Sequence, residues 1–335
     1  MKKYLLPNEG RFYKANLHCH TNISDGELTP VEVKKLYKNH GYSVIAYTDH
    51  EVFIPHNELT DEDFIALSGV EVQFNGSNKY PGNSVEKKCH LCLIAGSPDT
   101  VKQPCYGEKY AYIGNGKNEC KNVIPDEESS PYERVYSPEG ISELMHVARD
   151  KGFFITYNHP TWSLEDYEQY TKYEGMHAVE IYNRGTELLG YQGYVPNIYD
   201  DILRTGKEVF ASAGDDNHEG REPYCFGGFV MIKADELKYE TVMESLFAGN
   251  YYSSMGPEIY ELYIEDDEIH ISCSDAAMIA LTTDRRVSAS VRSDGGEPVR
   301  EAVFKLNRAC KYFRITLRDE KGKYANTNAY FIKNI

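Results

Sequence analysis

Short runs rich in β-branched and aromatic residues recur along the first 250 positions and alternate with segments whose apolar residues follow helical spacing. The runs at 12–17, 43–48, 64–70, 90–96, 153–158, 178–183 and 209–214 predict seven strands. Thr29 is placed to cap a helix with Pro30 at its first position and Glu32 in its first turn, Val33, Leu36 and Tyr37 on one face, and Gly41 closing it. Ser137 and Pro138 open a second helix, with Ile141, Leu144, Met145 and Ala148 on one face and Gly152 at its end. Residues 197–203 and 239–247, ending at Gly206 and Gly249, predict two more. Strands joined by helical crossovers predict an α/β fold, a distorted seven-stranded (β/α) TIM-like barrel over residues 1–253. From Pro257 the pattern changes to strands without helices, broken by turns such as Asp294-Gly295-Gly296, which predicts a small C-terminal β-sandwich over 254–335. Residues 97–136 hold Pro, Gly, Tyr and Lys with little periodicity and are expected to form a long loop insertion.

Composition narrows the class. The chain has 335 residues, 41% hydrophobic and 26% charged, a globular balance. No apolar run is long enough for a membrane helix. The opening residues lack the apolar core of a secretory signal, and eight cysteines are scattered rather than clustered, so a reducing, cytoplasmic setting is expected. With 36 Lys+Arg against 52 Asp+Glu the formal charge is −16. That argues against the basic surface a sequence-independent grip on long nucleic acid requires, without excluding it, and it suits a protein that gathers carboxylates around cations.

Candidate chemistry lies at the strand ends. His18 and His20 flank Cys19, so both imidazoles point to one side of an extended segment, with Asp25 close behind. Thr48-Asp49-His50 and Gly69-Val70-Glu71 follow two further apolar runs, and a carboxylate placed like Glu71 has two oxygens with which to bridge two cations. Cys89-His90-Leu91-Cys92 has zinc-knuckle spacing but no second cysteine pair. His90 stands at the start of its strand, the wrong end for a parallel barrel. An antiparallel hairpin would resolve this by bringing it beside Glu71. Asn158-His159-Pro160 and Gly214-Asp215-Asp216-Asn217-His218 complete the series. Mixed nitrogen and oxygen donors of this kind suit zinc, manganese or iron.

These motifs, LHCHTNISDG at 17–26, YTDH at 47–50, GVEV at 69–72, CHLCLIAG at 89–96, NHP at 158–160 and DDNH at 215–218, resemble the PHP (polymerase and histidinol phosphatase) metal-dependent phosphoesterases and occur in that family's order. The resemblance implies a distorted seven-stranded barrel with two or three divalent ions. His18, His20, Glu71 and Asp216 would hold one ion. Glu71 would bridge to a second, completed by His90 and His159, and Asp25, His50 and His218 would hold a third. Asp49 and Asp215 would orient imidazoles. Arg184 and Arg221, beside the sixth strand and the last motif, are candidates to fork onto a phosphate, with solvated loop arginines as an equal alternative, and with Asp49 they form the expected catalytic set.

The expected activity is hydrolysis of a small phosphorylated substrate, a nucleotide or sugar phosphate, by a metal-bridged hydroxide. No Gly-x-Ser-x-Gly elbow offers a serine nucleophile instead. Three other readings remain open: a 5'-3' exonuclease on short oligonucleotides, a metal-stabilised binding protein without catalysis, and amide or lactone hydrolysis at the same ions. Tyr106, Tyr110 and Tyr112 of the insertion are candidates to stack a base, with packing within the loop as the favoured reading.

Overall fold

The computed structural model describes residues 2–78 and 85–335. Among the described residues of the first part, nine strands belong to its large sheet: β1 (Arg11–Asn16), β2 (Val44–Tyr47), β3 (Ile65–Asn75), β4 (Lys88–Ala95), β5 (Phe153–Tyr157), β6 (Ala178–Asn183), β7 (Phe210–Gly214), β8 (Phe229–Ala234) and β9 (Tyr251–Ser254). Among the described residues, four helices of two turns or more lie between them: α1 (Pro30–Lys38), α2 (Pro138–Asp150), α3 (Pro196–Arg204) and α4 (Tyr239–Ala248). Local chemistry sets their ends. The Thr29 hydroxyl accepts from the Glu32 amide and the Glu32 carboxylate accepts from the Thr29 amide, a reciprocal cap that satisfies two otherwise unpaired N–H groups. Gly249 closes α4 at φ 72°, a left-handed conformation that glycine adopts without steric cost.

The sheet runs β7-β6-β5-β4-β3-β2-β1-β8-β9. Neighbours are parallel from β1 to β3 and from β5 to β7, while β4 is antiparallel to both β3 and β5. The reversed β4 therefore begins at the end where the other six finish. The sheet curls, because the chain after β1 meets the chain after β7: the His20 amide donates to the Asn217 carbonyl at 3.0 Å, and the Asp216 amide donates to the His18 carbonyl at 3.0 Å. These observations describe a mixed α/β fold with a large curled sheet and few helices.

Among the strands that follow are β10 (Ile259–Glu265), β11 (Glu268–Ala276), β12 (Met278–Thr283), β13 (Val299–Lys305), β14 (Tyr312–Arg318) and β15 (Tyr324–Thr327), with short strands Ala289–Arg292 beside β12 and Tyr330–Phe331 beside β14. β15 pairs with β9, so β15, β14 and β12 extend the large sheet, while β10, β11 and β13 form a separate sheet with residues 3–4 on its edge. Leu262 and Ile271 from one sheet pack with Ile279, Ile315 and Leu317 from the other in a common core. The strand β15 lies in a segment whose Gly, Lys, Asn and Thr composition reads as a turn, and pairing with β9 overrides that preference. Between the two parts, Arg314 donates from Nε and Nη2 to the Asp200 carboxylate, each at 2.8 Å, so β14 is tied to α3 by a buried fork.

Segment 97–136 is packed rather than loose. Tyr106 and Tyr110 are buried, so the loop-packing reading of these tyrosines holds for both. Arg134 forms a buried ion pair with Glu51 at 2.6 Å and lies 4.2 Å over the Tyr110 ring. Tyr136 reaches Glu165, a buried carboxyl that also accepts from Tyr157 at 2.7 Å and from Tyr173. Burial raises the Glu165 pKa to about 7, although hydroxyls of Tyr173, Tyr157 and Tyr136 favour its charged form.

A measurable consequence follows from that shift. With the folded value above the unfolded one of 4.5, the native state binds the proton more tightly. The stabilisation is fully present below pH 4.5 and is lost as pH rises to about 7. Denaturation of wild type and Glu165→Gln should differ by a pH-dependent increment of order 3 kcal/mol across this window. Parallel curves would show that Glu165 does not titrate there.

Candidate metal centre

The reversed β4 resolves the sequence puzzle about His90. Because β3 and β4 are antiparallel with Gln73 opposite His90 and Glu71 opposite Cys92, the start of β4 lies over the end of β3. His90 Nδ1 is 3.3 Å from Glu71 Oε1, as the expected hairpin requires. Cys89 and Cys92 face apart: Cys89 joins the apolar core, whereas Cys92 groups with His18 and Glu71. Cys-x-x-Cys therefore forms no knuckle.

All nine residues expected as ligands meet at one end of the sheet. Glu71 is central. Its Oε1 lies 3.1 Å from His18 Nε2 and 3.2 Å from His159 Nε2, and its Oε2 lies 3.2 Å from His50 Nδ1 and 3.5 Å from His20 Nε2. Asp216 Oδ1 is 3.2 Å from His18 Nε2 and 3.1 Å from His20 Nε2. Asp25 lies at the mouth, 3.8 Å from His50 Nε2 and 3.5 Å from His218 Nε2. The donors group as His20, Asp25, His50 and His218; as His18, His159 and Asp216; and as His50, Glu71 and His90. His159 thus groups with His18 and Asp216, where the resemblance implied His90, although Glu71 lies within 3.3 Å of His18, His90 and His159.

The donors fit divalent cations. Two ligands at right angles, each about 2.1 Å from an ion, stand about 3 Å apart, close to the spacings around Glu71 and Asp216. His20 Nδ1, His50 Nδ1, His90 Nδ1 and Glu71 Oε2 are buried without a hydrogen-bond partner, which costs free energy unless something else satisfies them. Two candidate ligands also hold left-handed backbones, His159 at φ 27° and Asp216 at φ 53°, a strain that collects where geometry is functional.

The electrostatics show the competition within the cluster. Burial opposes charge on Glu71, yet His18, His90, His50 and His159 outweigh it and hold its pKa well below the usual carboxylate range. Burial, with His20 and His90 nearby, depresses His50 to about 3 against the pull of Asp25 and Glu71. His50 is therefore neutral at pH 7, with a lone pair free for an ion. Burial also disfavours the His218 cation, but Asp25 and Asp216 raise its pKa to about 10.

The residues expected to orient imidazoles act elsewhere. Asp49 accepts from the amides and hydroxyls of Thr21 and Ser24 at 2.8–3.1 Å, and so shapes the 20–26 loop. Asp215 accepts from Tyr37 and the amides of 226–228. The imidazole partners are instead residues the sequence reading passed over. Glu180 Oε1 lies 3.2 Å from His18 Nδ1, Gln73 Oε1 lies 2.9 Å from His90 Nε2, and Ser163 Oγ lies 3.3 Å from His159 Nδ1. A lone acid inside the apolar run Ala178-Val179-Glu180-Ile181 was the available signal for Glu180.

Neither expected arginine lines the cleft. Arg184 donates to the Pro223 carbonyl and to Glu187 at 2.8 and 2.6 Å, and exposed Arg221 stands 3.6 Å from Glu27. Hydrogen bonds direct the Arg184 guanidinium away from the donors, whereas Arg221 projects into solvent. The cleft encloses about 400 Å³, and its walls include Ile113, Trp162, Leu189 and Tyr224; no Lys or Arg lines it among the described residues. Trp162 packs edge-on against both His90 and His159.

No family model and no curated protein matches the chain. Among solved structures it is similar to a two-domain protein containing a predicted PHP-like metal-dependent phosphoesterase from Bacteroides vulgatus, at 12% identity over 98% of this chain and 97% of that one, TM-score 0.45. A putative metal-dependent phosphoesterase from Bifidobacterium adolescentis is 14% identical over 72% of this chain and 97% of that one, TM-score 0.39. A lesion-specific endonuclease from Pyrococcus furiosus is 12% identical over 71% of this chain and 56% of that one, TM-score 0.43. These three neighbours, one with a predicted PHP-like phosphoesterase, one a putative metal-dependent phosphoesterase and one an endonuclease, all lie at low sequence identity.

Proposed function

We propose that the chain is a PHP-type metal-dependent phosphoesterase acting on a small phosphorylated molecule. The observation that carries this reading is the convergence of six imidazoles and three carboxylates on one cleft, with four buried donor atoms unsatisfied by the protein. Divalent cations held there would supply an acidified water as nucleophile and a positive field for the phosphoryl oxygens. Glu71 presents its two oxygens to different imidazoles, which suits it to share cations. The buried floor excludes bulk water, and Asp25 and His218 at the mouth complete the donor set on the solvent side. With Arg184 and Arg221 engaged elsewhere, bound cations are the source of positive charge for the phosphate. The apolar walls suit the organic half of the ester, and an aromatic group such as a nucleobase fits them better than a bare polyol. In this reading residues 1–253 are the catalytic unit, built as a distorted barrel, and residues 254–335 are an accessory sandwich.

Phosphate release from nucleotides, sugar phosphates, an aryl phosphate and a short 5'-phosphorylated oligonucleotide tests the proposal. Chelator-stripped protein should be inactive, and added manganese, zinc or iron should restore turnover. Silence of every loaded sample, with metal bound, would point to a binding protein. Release only from the oligonucleotide would select the exonuclease reading.

A further inference from the structure

Glu180 is buried in the middle of β6, yet its carboxylate serves several neighbours at once. Oε1 faces His18 Nδ1 at 3.2 Å. The other nitrogen of that imidazole, Nε2, faces Glu71 and Asp216. An acceptor at Nδ1 fixes the tautomer whose Nε2 lone pair points into the cleft. Glu180 Oε2 accepts from the His159 amide at 3.1 Å, at the residue whose backbone is strained to φ 27°. The same Oε2 accepts from Asn183 Nδ2 at 2.8 Å, and Asn183 Nδ2 also lies 3.3 Å from Asp216 Oδ2. His18, His159 and Asp216 form one of the donor groups in the cleft. One carboxylate therefore contacts His18 and the His159 backbone directly and reaches Asp216 through Asn183 Nδ2, at three different strand ends.

Room for this arrangement is built into the backbone. A Cβ at Gly214 would meet Glu180 Oε1 at 2.7 Å and His18 Cβ at 3.0 Å, so the carboxylate reaches His18 across a position where any larger residue would block it.

We propose that Glu180 is a positioning residue that sets His18, His159 and Asp216 around a single ion, which rests on the metal-site reading above. Glutamine is the informative replacement. It keeps the volume but offers only one acceptor, and its NH2 would face either His18 Nδ1–H or the donors of His159 and Asn183.

Cobalt(II) titration of the metal-free protein, followed by visible absorption and equilibrium dialysis, tests this. Glu180→Gln should bind cobalt 10- to 100-fold more weakly at one site, with altered ligand-field bands for that site and the remaining sites unchanged. Glu180→Asp, which keeps the charge but shortens the reach, should fall between Gln and wild type. Should the Gln variant fail to fold, the Asp variant carries the same measurement. Wild-type affinity and spectrum in a folded variant would overturn the proposal. A wild-type protein that binds no cobalt would overturn the metal-site reading itself, so the two failures are distinguishable.

Discussion

Glu71→Ala should empty the cleft and abolish turnover in one step. The side chain is fully buried and touches His18, His50, His90 and His159 through two oxygens, so its loss removes a donor from more than one group together. Supporting residues around a metal already change affinity 10- to 100-fold, so a central ligand should cost more than about 100-fold. Turnover should fall by at least 10²–10³, the order associated with removing one stabiliser of transition-state charge. Metal content by mass spectrometry and phosphate release should decline in parallel. Full metal content with full activity would remove Glu71 from the centre.

Arg314→Ala is the second large effect, and it reads on stability. Arg314 and Asp200 are both buried, and the guanidinium also donates to Thr316 at 2.8 Å. Truncation leaves the Asp200 carboxylate buried without its cation, a loss of about 3–5 kcal/mol. Urea denaturation should show this, while a double replacement by apolar residues, Arg314→Met with Asp200→Leu, should recover much of it. Equal stability of Arg314→Ala and wild type would mean water reaches the carboxylate.

Much of this was legible in the chain because the signals were local. The seven runs before the motifs became strands, and the Thr29, Ser137 and Gly249 signals marked helix ends. The histidine motifs were readable because each but one sits where an apolar run stops, and the reversal at β4 followed from the exception, His90, which precedes its run. Tertiary partners were harder to read. Glu180 and Gln73 lie within strands, where side-chain direction depends on sheet curvature that a one-dimensional pattern does not carry. Arg184 and Arg221 were placed by proximity in sequence, but Glu187, Pro223 and Glu27 compete for them in space. Asp49 and Asp215 follow apolar runs as the ligands do, yet backbone amides and hydroxyls claim them first. β15 was hidden because its polar sequence becomes a strand only when β9 is beside it.

The pairing of residues 3–4 with β10 ties the opening of the chain to a sheet more than 250 positions away. Lys3 and Tyr4 stand opposite Ile264 and Tyr263, Leu5 donates its amide to Leu262, and Leu6 lies in the shared core. Trimming those few amino acids would leave β10 with a bare row of carbonyl and amide groups, a template on which a second molecule can add a strand. Self-association is therefore the expected hazard of shortening this protein from its front.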